Sequence, residues 1–158
     1  MRTVIAAGLV AATQAAQADF PAFDSLHAKC QLTTTFPGTQ CSELYFHFDT
    51  EVRRYGNGDA AGGVYTIFEQ EPTNYVWSTR RTGGKGKYVD DQIFSLTQKG
   101  SDCEVEGKSR SQSMSYYDYD TNFCNLWNVY NAVGGMGEVS RENCKFFPTK
   151  PEETCKMY

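Results

Sequence analysis

The sequence has few of the residues on which common enzyme chemistries depend. Only two histidines are present and no G-x-S-x-G motif occurs, so a serine hydrolase would lack a recognisable nucleophile and base. No C-x2-C pair offers the ligand spacing of a zinc site. We therefore expect no metal and no cofactor, and a non-enzymatic role is the favoured interpretation.

Long apolar runs are also missing except near the N-terminus, and that run is shorter than the roughly 20 residues needed to span a bilayer. Arg2 precedes an apolar stretch at residues 4–12 and an A-x-A motif at residues 16–18, which is typical of a signal peptide. The prediction is a signal peptide at residues 1–18 and one secreted, extracellular domain at residues 19–158. A formal net charge of -4 argues against binding to nucleic acid or to an anionic membrane.

The predicted mature domain contains six cysteines, and an even number in an exported chain indicates disulfide bonds. They are Cys30, Cys41, Cys103, Cys124, Cys144 and Cys155. Six cysteines allow about 15 connectivities. We expect the sequential one, because each bond would then close a short loop across a turn-rich segment. Its bonds would be Cys30–Cys41, Cys103–Cys124 and Cys144–Cys155.

Alternating residues and turn signals predict a run of short strands. The expected strands cover residues 30–36, 64–70, 75–82, 88–98, 103–108 and 109–117. The spacing of Leu44, Phe48 and Val52 favours a longer helix at residues 42–55. Leu44, Phe46 and Phe48 also fit the alternation of a strand, so a strand at this place stays open.

The other segments complete the predicted fold. A short helix is expected at residues 122–133, with an apolar stripe on one side and asparagines on the other. Residues 57–63 predict a flexible connection without packing capacity, and residues 134–158 an irregular tail held by a disulfide bond. The fold class is α+β, a single small domain with an antiparallel meander of about five to six strands packed by these helices. An all-β sandwich is the alternative if residues 42–55 form a strand.

The strongest candidate for a recognition site is the aromatic and acidic turn at residues 116–120. Tyrosines clustered at a turn cannot all point inward. The turn imitates the opening of a calcium loop, but Phe123 and Val129 occupy positions that an EF-hand needs for glycine and glutamate. We therefore expect a secreted binding module that recognises an extracellular protein or glycan. Its predicted ligand-binding residues are Tyr116, Tyr117, Asp118, Tyr119, Asp120 and Trp77.

Two other functions stay open. A sheet that grips a helix could leave a cavity for a small apolar, lipid-like ligand. Its lining residues would be Phe46, Phe48, Ile67, Phe68, Phe94 and Leu96. A glycan hydrolase with two carboxyl groups is less favoured, because acidic residues are plentiful and therefore unspecific. Its candidate acids are Asp90, Asp91, Asp118 and Asp120.

A basic, glycine-rich run covers residues 80–87. Its cations and free backbone N–H groups could hold a sulfate, a phosphate or an acidic glycan. The run does not match a nucleotide-binding P-loop. The favoured interpretation is a charged hairpin loop that keeps an exposed sheet edge from pairing.

Overall fold

A computed structural model describes residues 19–82 and 87–158. The predicted signal peptide at residues 1–18 and the centre of the basic, glycine-rich run, residues 83–86, lie outside these ranges. Within them, no helix is both long and apolar enough to cross a membrane.

The described residues form one antiparallel sheet of six strands with three α-helices, which confirms the α+β prediction. The strands are β1 (Lys29–Phe36), β2 (Val64–Glu71), β3 (Tyr75–Arg81), β4 (Val89–Lys99), β5 (Asp102–Ser111) and β6 (Ser140–Glu142). The helices are α1 (Cys41–Arg54), α2 (Thr121–Val133) and α3 (Pro151–Thr154). The ambiguous segment at residues 42–55 is therefore helical, and the all-β alternative is excluded.

The strand order in the sheet is β2-β3-β4-β5-β1-β6. β2 to β5 form the predicted meander, and β5 then pairs along its length with β1. The two strands predicted at residues 103–108 and 109–117 are a single strand, β5, which ends at Ser111. No turn separates them, because alternate residues of β5 stay buried and its pairing with β4 continues without a shift. The chain then leaves the sheet for the turn that precedes α2.

Both long helices pack on one face of the sheet, and Tyr130 of α2 lies at the centre of this interface. Its ring centroid is 5.5 Å from that of Phe94, 5.7 Å from that of Phe48 and 6.4 Å from that of Phe36. These rings come from β4, α1 and β1, respectively. Packed aromatic side chains therefore fill the middle of the space between helices and sheet.

The hydroxyl of Tyr130 also joins α2 to two strands. Its oxygen lies 3.0 Å from the carbonyl oxygen of Leu32 in β1 and 3.2 Å from that of Val105 in β5, so one proton is shared between two acceptors. Gly107 provides the necessary room, because a Cβ atom there would lie 2.6 Å from the hydroxyl oxygen. A side chain at position 107 and the phenol at position 130 cannot both keep these positions.

All six cysteines form disulfide bonds, as predicted, but the sequential connectivity is wrong. The bonds are Cys30–Cys144, Cys41–Cys103 and Cys124–Cys155. Cys30 lies near the start of β1, whereas Cys41 follows the end of this strand. Phe36, at that end, is paired with Cys103, which brings Cys103 to the start of α1. The connectivity therefore follows the order of strands in the sheet and not the order along the chain.

Residues 134–158 contain more regular structure than the predicted irregular tail. β6 pairs with β1, and the short helix α3 lies near the C-terminus. Cys144 attaches this segment to β1, and Cys155 attaches it to α2. Pairing with β1 could not be expected from three exposed residues without an apolar alternation.

A Gly107→Ala variant should lower the free energy of unfolding by about 1–3 kcal/mol, because the new methyl group overlaps the Tyr130 hydroxyl. Tyr130→Phe alone should cost about 1 kcal/mol through the lost hydrogen bond. In the double variant the overlap is relieved, so the loss should be smaller than the sum of the single losses. Urea unfolding followed by circular dichroism, with disulfides intact, measures all three. Strict additivity would contradict the proposed contact.

Candidate functional site

Four aromatic side chains from two segments meet at the protein surface. We call Tyr116, Tyr117, Tyr119 and Phe146 the aromatic patch. The three tyrosines are 65%, 58% and 65% exposed in this order. The ring centroid of Tyr117 lies 5.1 Å from that of Tyr116, 6.2 Å from that of Tyr119 and 5.7 Å from that of Phe146. The predicted tyrosine turn is thus exposed, and a distant segment extends it.

Lys145 places a positive charge against this patch. Its Nζ atom lies 3.4 Å from the ring centroid of Tyr116, 4.9 Å from that of Tyr117 and 5.5 Å from that of Phe146. Such distances are within the range of cation–π attraction. Lys145 and Phe146 reach the patch because the preceding residue, Cys144, is bonded to β1. Sequence reasoning missed both residues, since no local pattern links them to the turn.

The side chain of Asp118 stabilises the turn through hydrogen bonds to Asn122. Its Oδ2 atom accepts hydrogen bonds from the backbone N of Asn122 at 3.0 Å and from the Nδ2 of Asn122 at 2.9 Å. The first bond satisfies a backbone N–H at the start of α2, as a capping residue does. Asn122 is fully buried, and its Oδ1 accepts from the hydroxyl of Ser109 at 2.8 Å. The patch is therefore connected to β5 through the side chains of Asp118 and Asn122.

The backbone reverses sharply at the end of the turn. Tyr119 and Asp120 have φ angles of 47° and 72°, in the left-handed region that residues other than glycine rarely adopt. Asp120 is half-buried, and burial, followed by the nearby Asp118 charge, raises the pKa of its carboxyl group. This reversal leaves the Tyr119 ring outside while α2 begins at Thr121.

A pocket of about 100 Å³ opens beside the patch. It is lined by Ser25, His27, Ala28, Lys29, Ser115, Tyr116, Asp118, Asn143 and Lys145. Lys29 and Lys145 each neighbour a cysteine of the Cys30–Cys144 bond, whose Cα atoms are 4.2 Å apart. The disulfide therefore holds both lysines at the same small pocket.

An ion pair between Arg110 and Asp24 stabilises the side of the pocket that His27 lines. Arg110 Nη2 donates to Asp24 Oδ2 at 2.9 Å, and Nδ1 of His27 lies 2.8 Å from Asp24 Oδ1. Arg110, and then His27, hold the pKa of the Asp24 carboxyl well below its usual range. The negative charge of Asp24 is thus already paired and is not left to oppose an incoming anion.

Trp77 lies in a different part of the molecule. It is 6% exposed on the sheet face opposite the helices and packs there with Ile93. Its ring centroid is 5.4 Å from that of Phe20 and 4.6 Å from that of Phe68. Trp77 therefore belongs to a separate apolar cluster, and the structure shows no contact between its described neighbours and the aromatic patch.

The residues considered for an apolar cavity are divided between core and surface. Phe48, Phe94 and Leu96 are buried in the main core, and Ile67 packs against it. Phe46 and Phe68 are 64% and 62% exposed. The six side chains do not line one space, and the rings around Tyr130 occupy the middle of the interior.

Of the four acids considered for hydrolysis, Asp91 is separated from the other three. Asp90 and Asp91 are consecutive in β4 and point to opposite faces of the sheet. Asp90 is 2% exposed and accepts a 2.9 Å hydrogen bond from Asn125 Nδ2, and burial raises the pKa of its carboxyl group. Asp91 accepts from Gln112 Nε2 at 3.0 Å. Asp118 accepts two hydrogen bonds from Asn122, and its charge adds to the effect of burial on the pKa values of Asp90 and Asp120.

A buried ion pair is the main polar feature that the sequence did not reveal. Arg80 Nε donates to Asp59 Oδ2 at 2.7 Å, and both side chains are almost fully buried. The backbone N atoms of Ala61 and Gly63 donate to Asp59 Oδ1. Residues 57–63 are therefore not the predicted connection without packing capacity. Arg80 is likewise unavailable for the anion site considered at residues 80–87.

Comparisons with known proteins give no functional assignment. No family model matches the chain, and no curated protein matches it in sequence. CalU16 from Micromonospora echinospora aligns with 67% of this chain and 73% of its own, at 11% identity and a TM-score of 0.49. The Mll3558 protein from Rhizobium loti aligns with 68% of this chain and 94% of its own, at 15% identity and a TM-score of 0.46. These similarities are too weak to support an inference.

Asp90→Asn should stabilise the protein at neutral pH. Because burial raises the pKa of Asp90, the native state binds its proton more readily than the unfolded chain, and this group costs stability as the pH rises. Asparagine keeps an oxygen for Asn125 but cannot ionise. Urea unfolding should therefore show a gain at pH 7 that shrinks at pH 3, where the aspartate is protonated in both states. A gain of equal size at both pH values would argue against a buried carboxylate.

Replacing Cys30 and Cys144 with serine should detach Lys145 and Phe146 from the patch. NMR cross-peaks between the Lys145 side chain and the Tyr116 ring should then disappear. Those between Tyr117 and Tyr119 should persist, because Asp118 and Asn122 hold the turn. The matched control replaces Cys124 and Cys155 and should retain the Lys145 cross-peaks. Unchanged cross-peaks in the first variant would show that the disulfide does not position Lys145.

Proposed function

We propose that the protein is a secreted, non-enzymatic binding module that recognises an extracellular protein or glycan through the aromatic patch. The observation that carries this proposal is the contact of four rings at the surface, three of which lie close to the Nζ atom of Lys145. Large aromatic side chains with polar handles are enriched where proteins meet their partners. In this arrangement they offer contact area without a catalytic group among them.

The patch is organised before a ligand arrives. Hydrogen bonds to Asp118 hold the turn on one side, and the Cys30–Cys144 bond holds Lys145 and Phe146 on the other. Association is opposed by the loss of side-chain and loop freedom, and a surface that is already ordered reduces this cost. Rigid tyrosines are therefore well suited to a binding surface of modest area.

Secretion is supported by the signal peptide predicted at residues 1–18 and by the three disulfide bonds. Disulfides persist mainly in oxidising compartments. In this chain they join β1 to the C-terminal segment, α1 to β5, and α2 to the C-terminal segment. Both long helices, α1 and α2, are thus cross-linked to another segment, as suits an exported domain of this size.

A variant with Tyr116→Ala, Tyr117→Ala and Tyr119→Asn should keep the fold and lose ligand binding. Asparagine is chosen at position 119 because it tolerates the left-handed backbone. Truncation of a hot-spot residue at the centre of an interface costs about 2 kcal/mol or more, so affinity should fall at least about tenfold. The measurement is binding to a panel of immobilised extracellular glycans and secreted proteins.

The matched control is Tyr88→Ala, since Tyr88 is 58% exposed and lies outside the patch. It should bind as the wild type does. If the triple variant kept the affinity of the wild type for every ligand retained from the panel, the patch would not be the recognition surface.

A further inference from the structure

We infer that the aromatic patch and the pocket beside it bind an acidic sugar, whose carboxylate enters the pocket between Lys29 and Lys145. This inference rests on the proposed function, because it names the ligand class of the same surface. The neighbouring sugar units would lie on the rings of Tyr117, Tyr119 and Phe146.

Charge is the first argument. Several surface lysines of this protein already have a carboxylate partner. Lys99, Lys108 and Lys150 pair with Glu104, Glu106 and Glu153. Within the described ranges, Lys29 and Lys145 have none at salt-bridge distance. The Nζ of Lys29 donates to the backbone carbonyl of Asp24, and that of Lys145 contacts only rings among its described neighbours. Both positive charges are therefore left for an anion.

The second argument is the size of the pocket. A volume of about 100 Å³ is small for a ligand pocket and suits one small group of a larger ligand. A carboxylate fits this space and can accept charge-assisted hydrogen bonds from both lysines. Asn143 and Ser25 also line the pocket and can form hydrogen bonds with the sugar hydroxyl groups beside the carboxylate.

The third argument concerns the two acids nearest to the pocket. Oδ2 of Asp118 already accepts two hydrogen bonds from Asn122, and Asp24 is paired with Arg110 and His27. Arg110 balances the charge of Asp24, whereas Asn122 stabilises the charge of Asp118 without cancelling it. Lys29 and Lys145 outnumber Asp118, the one carboxylate that lines the pocket. The local balance at the pocket is therefore positive, although the whole chain has a net charge of -4.

The shape of the patch favours a sugar over an acidic peptide. Its neighbouring ring centroids are 5.1–6.3 Å apart, so the rings form a continuous apolar surface next to a single charge site. The flat faces of sugar rings can cover such a surface. An acidic peptide carries its carboxylates on flexible side chains, and ordering these on binding costs free energy.

The test is an NMR titration with two acidic probes and their uncharged counterparts. The probes are trigalacturonic acid with its methyl ester, and 3′-sialyllactose with lactose. At least one acid should shift the signals of residues 115–119 and 143–146 and bind about tenfold or more tightly than its counterpart, as expected for a hydrogen bond to a charged group. Raising the salt concentration should weaken binding, because Lys145 is exposed and Lys29 is only partly buried.

Two charge variants complete the test. Lys145→Gln and Lys29→Gln should each weaken binding of the acid about tenfold and leave the neutral probe unaffected. Lys99→Gln is the matched control, because Lys99 is an exposed lysine at the end of β4. It is paired with Asp102, at the end of β5 that lies away from the patch. It should bind as the wild type does. Urea unfolding of each variant verifies that the fold is intact.

The outcomes separate this inference from the proposed function. Equal binding of acidic and neutral probes at the patch, or no effect of either lysine variant, would overturn the acidic ligand and leave the patch as the binding surface. The same conclusion follows if neither acid shifts the patch signals while a glutamate-rich peptide does. Absence of shifts with all of these probes overturns the inference, and the tyrosine variant with the wider panel then decides the proposed function independently.

Discussion

The contact of Tyr130 with the sheet is the constraint on which the arrangement of the whole fold depends. The phenol ring meets rings from β1, β4 and α1, and its hydroxyl shares a proton between carbonyls of β1 and β5. This approach is possible only because Gly107 has no side chain. Once α2 is seated there, the turn before it must lie at the end of β5, where Asn122 and Asp118 hold the tyrosines at the surface.

The position of β1 determines the other half of the patch. Because β1 lies between β5 and β6, the start of β1 is close to the C-terminal segment, and Cys30 bonds to Cys144. That bond holds Lys145 and Phe146 next to the tyrosine turn, with Lys29 beside them. The aromatic patch and its pocket are thus assembled by tertiary structure from three stretches of the chain, none of which forms them alone.

The features that sequence reasoning predicted are those encoded by neighbouring residues. The spacing of Leu44, Phe48 and Val52 identified α1, and alternation identified most strands. The exposed tyrosines followed from their crowding at a turn. The cysteine connectivity, the ion pair of Arg80 with Asp59 and the arrival of Lys145 depend on strand order, which no local pattern contains. One signal was available but overlooked: Arg80 and Asp90 occupy inward positions of strands, where polar residues require buried partners.

The proposed anionic ligand is compatible with the acidic character of the protein because of where the charges lie. Its excess of acidic groups repels densely charged polymers over long distances, but salt screens this repulsion beyond about 8 Å at physiological ionic strength. Within that distance Lys29 and Lys145 outweigh Asp118, because the charge of Asp24 is paired with Arg110. A ligand with one carboxylate and an apolar face is attracted by the two lysines at the pocket. It carries too little charge to be strongly repelled by the acidic groups elsewhere on the protein. Attraction at the pocket and repulsion around it therefore act together as a basis for specificity.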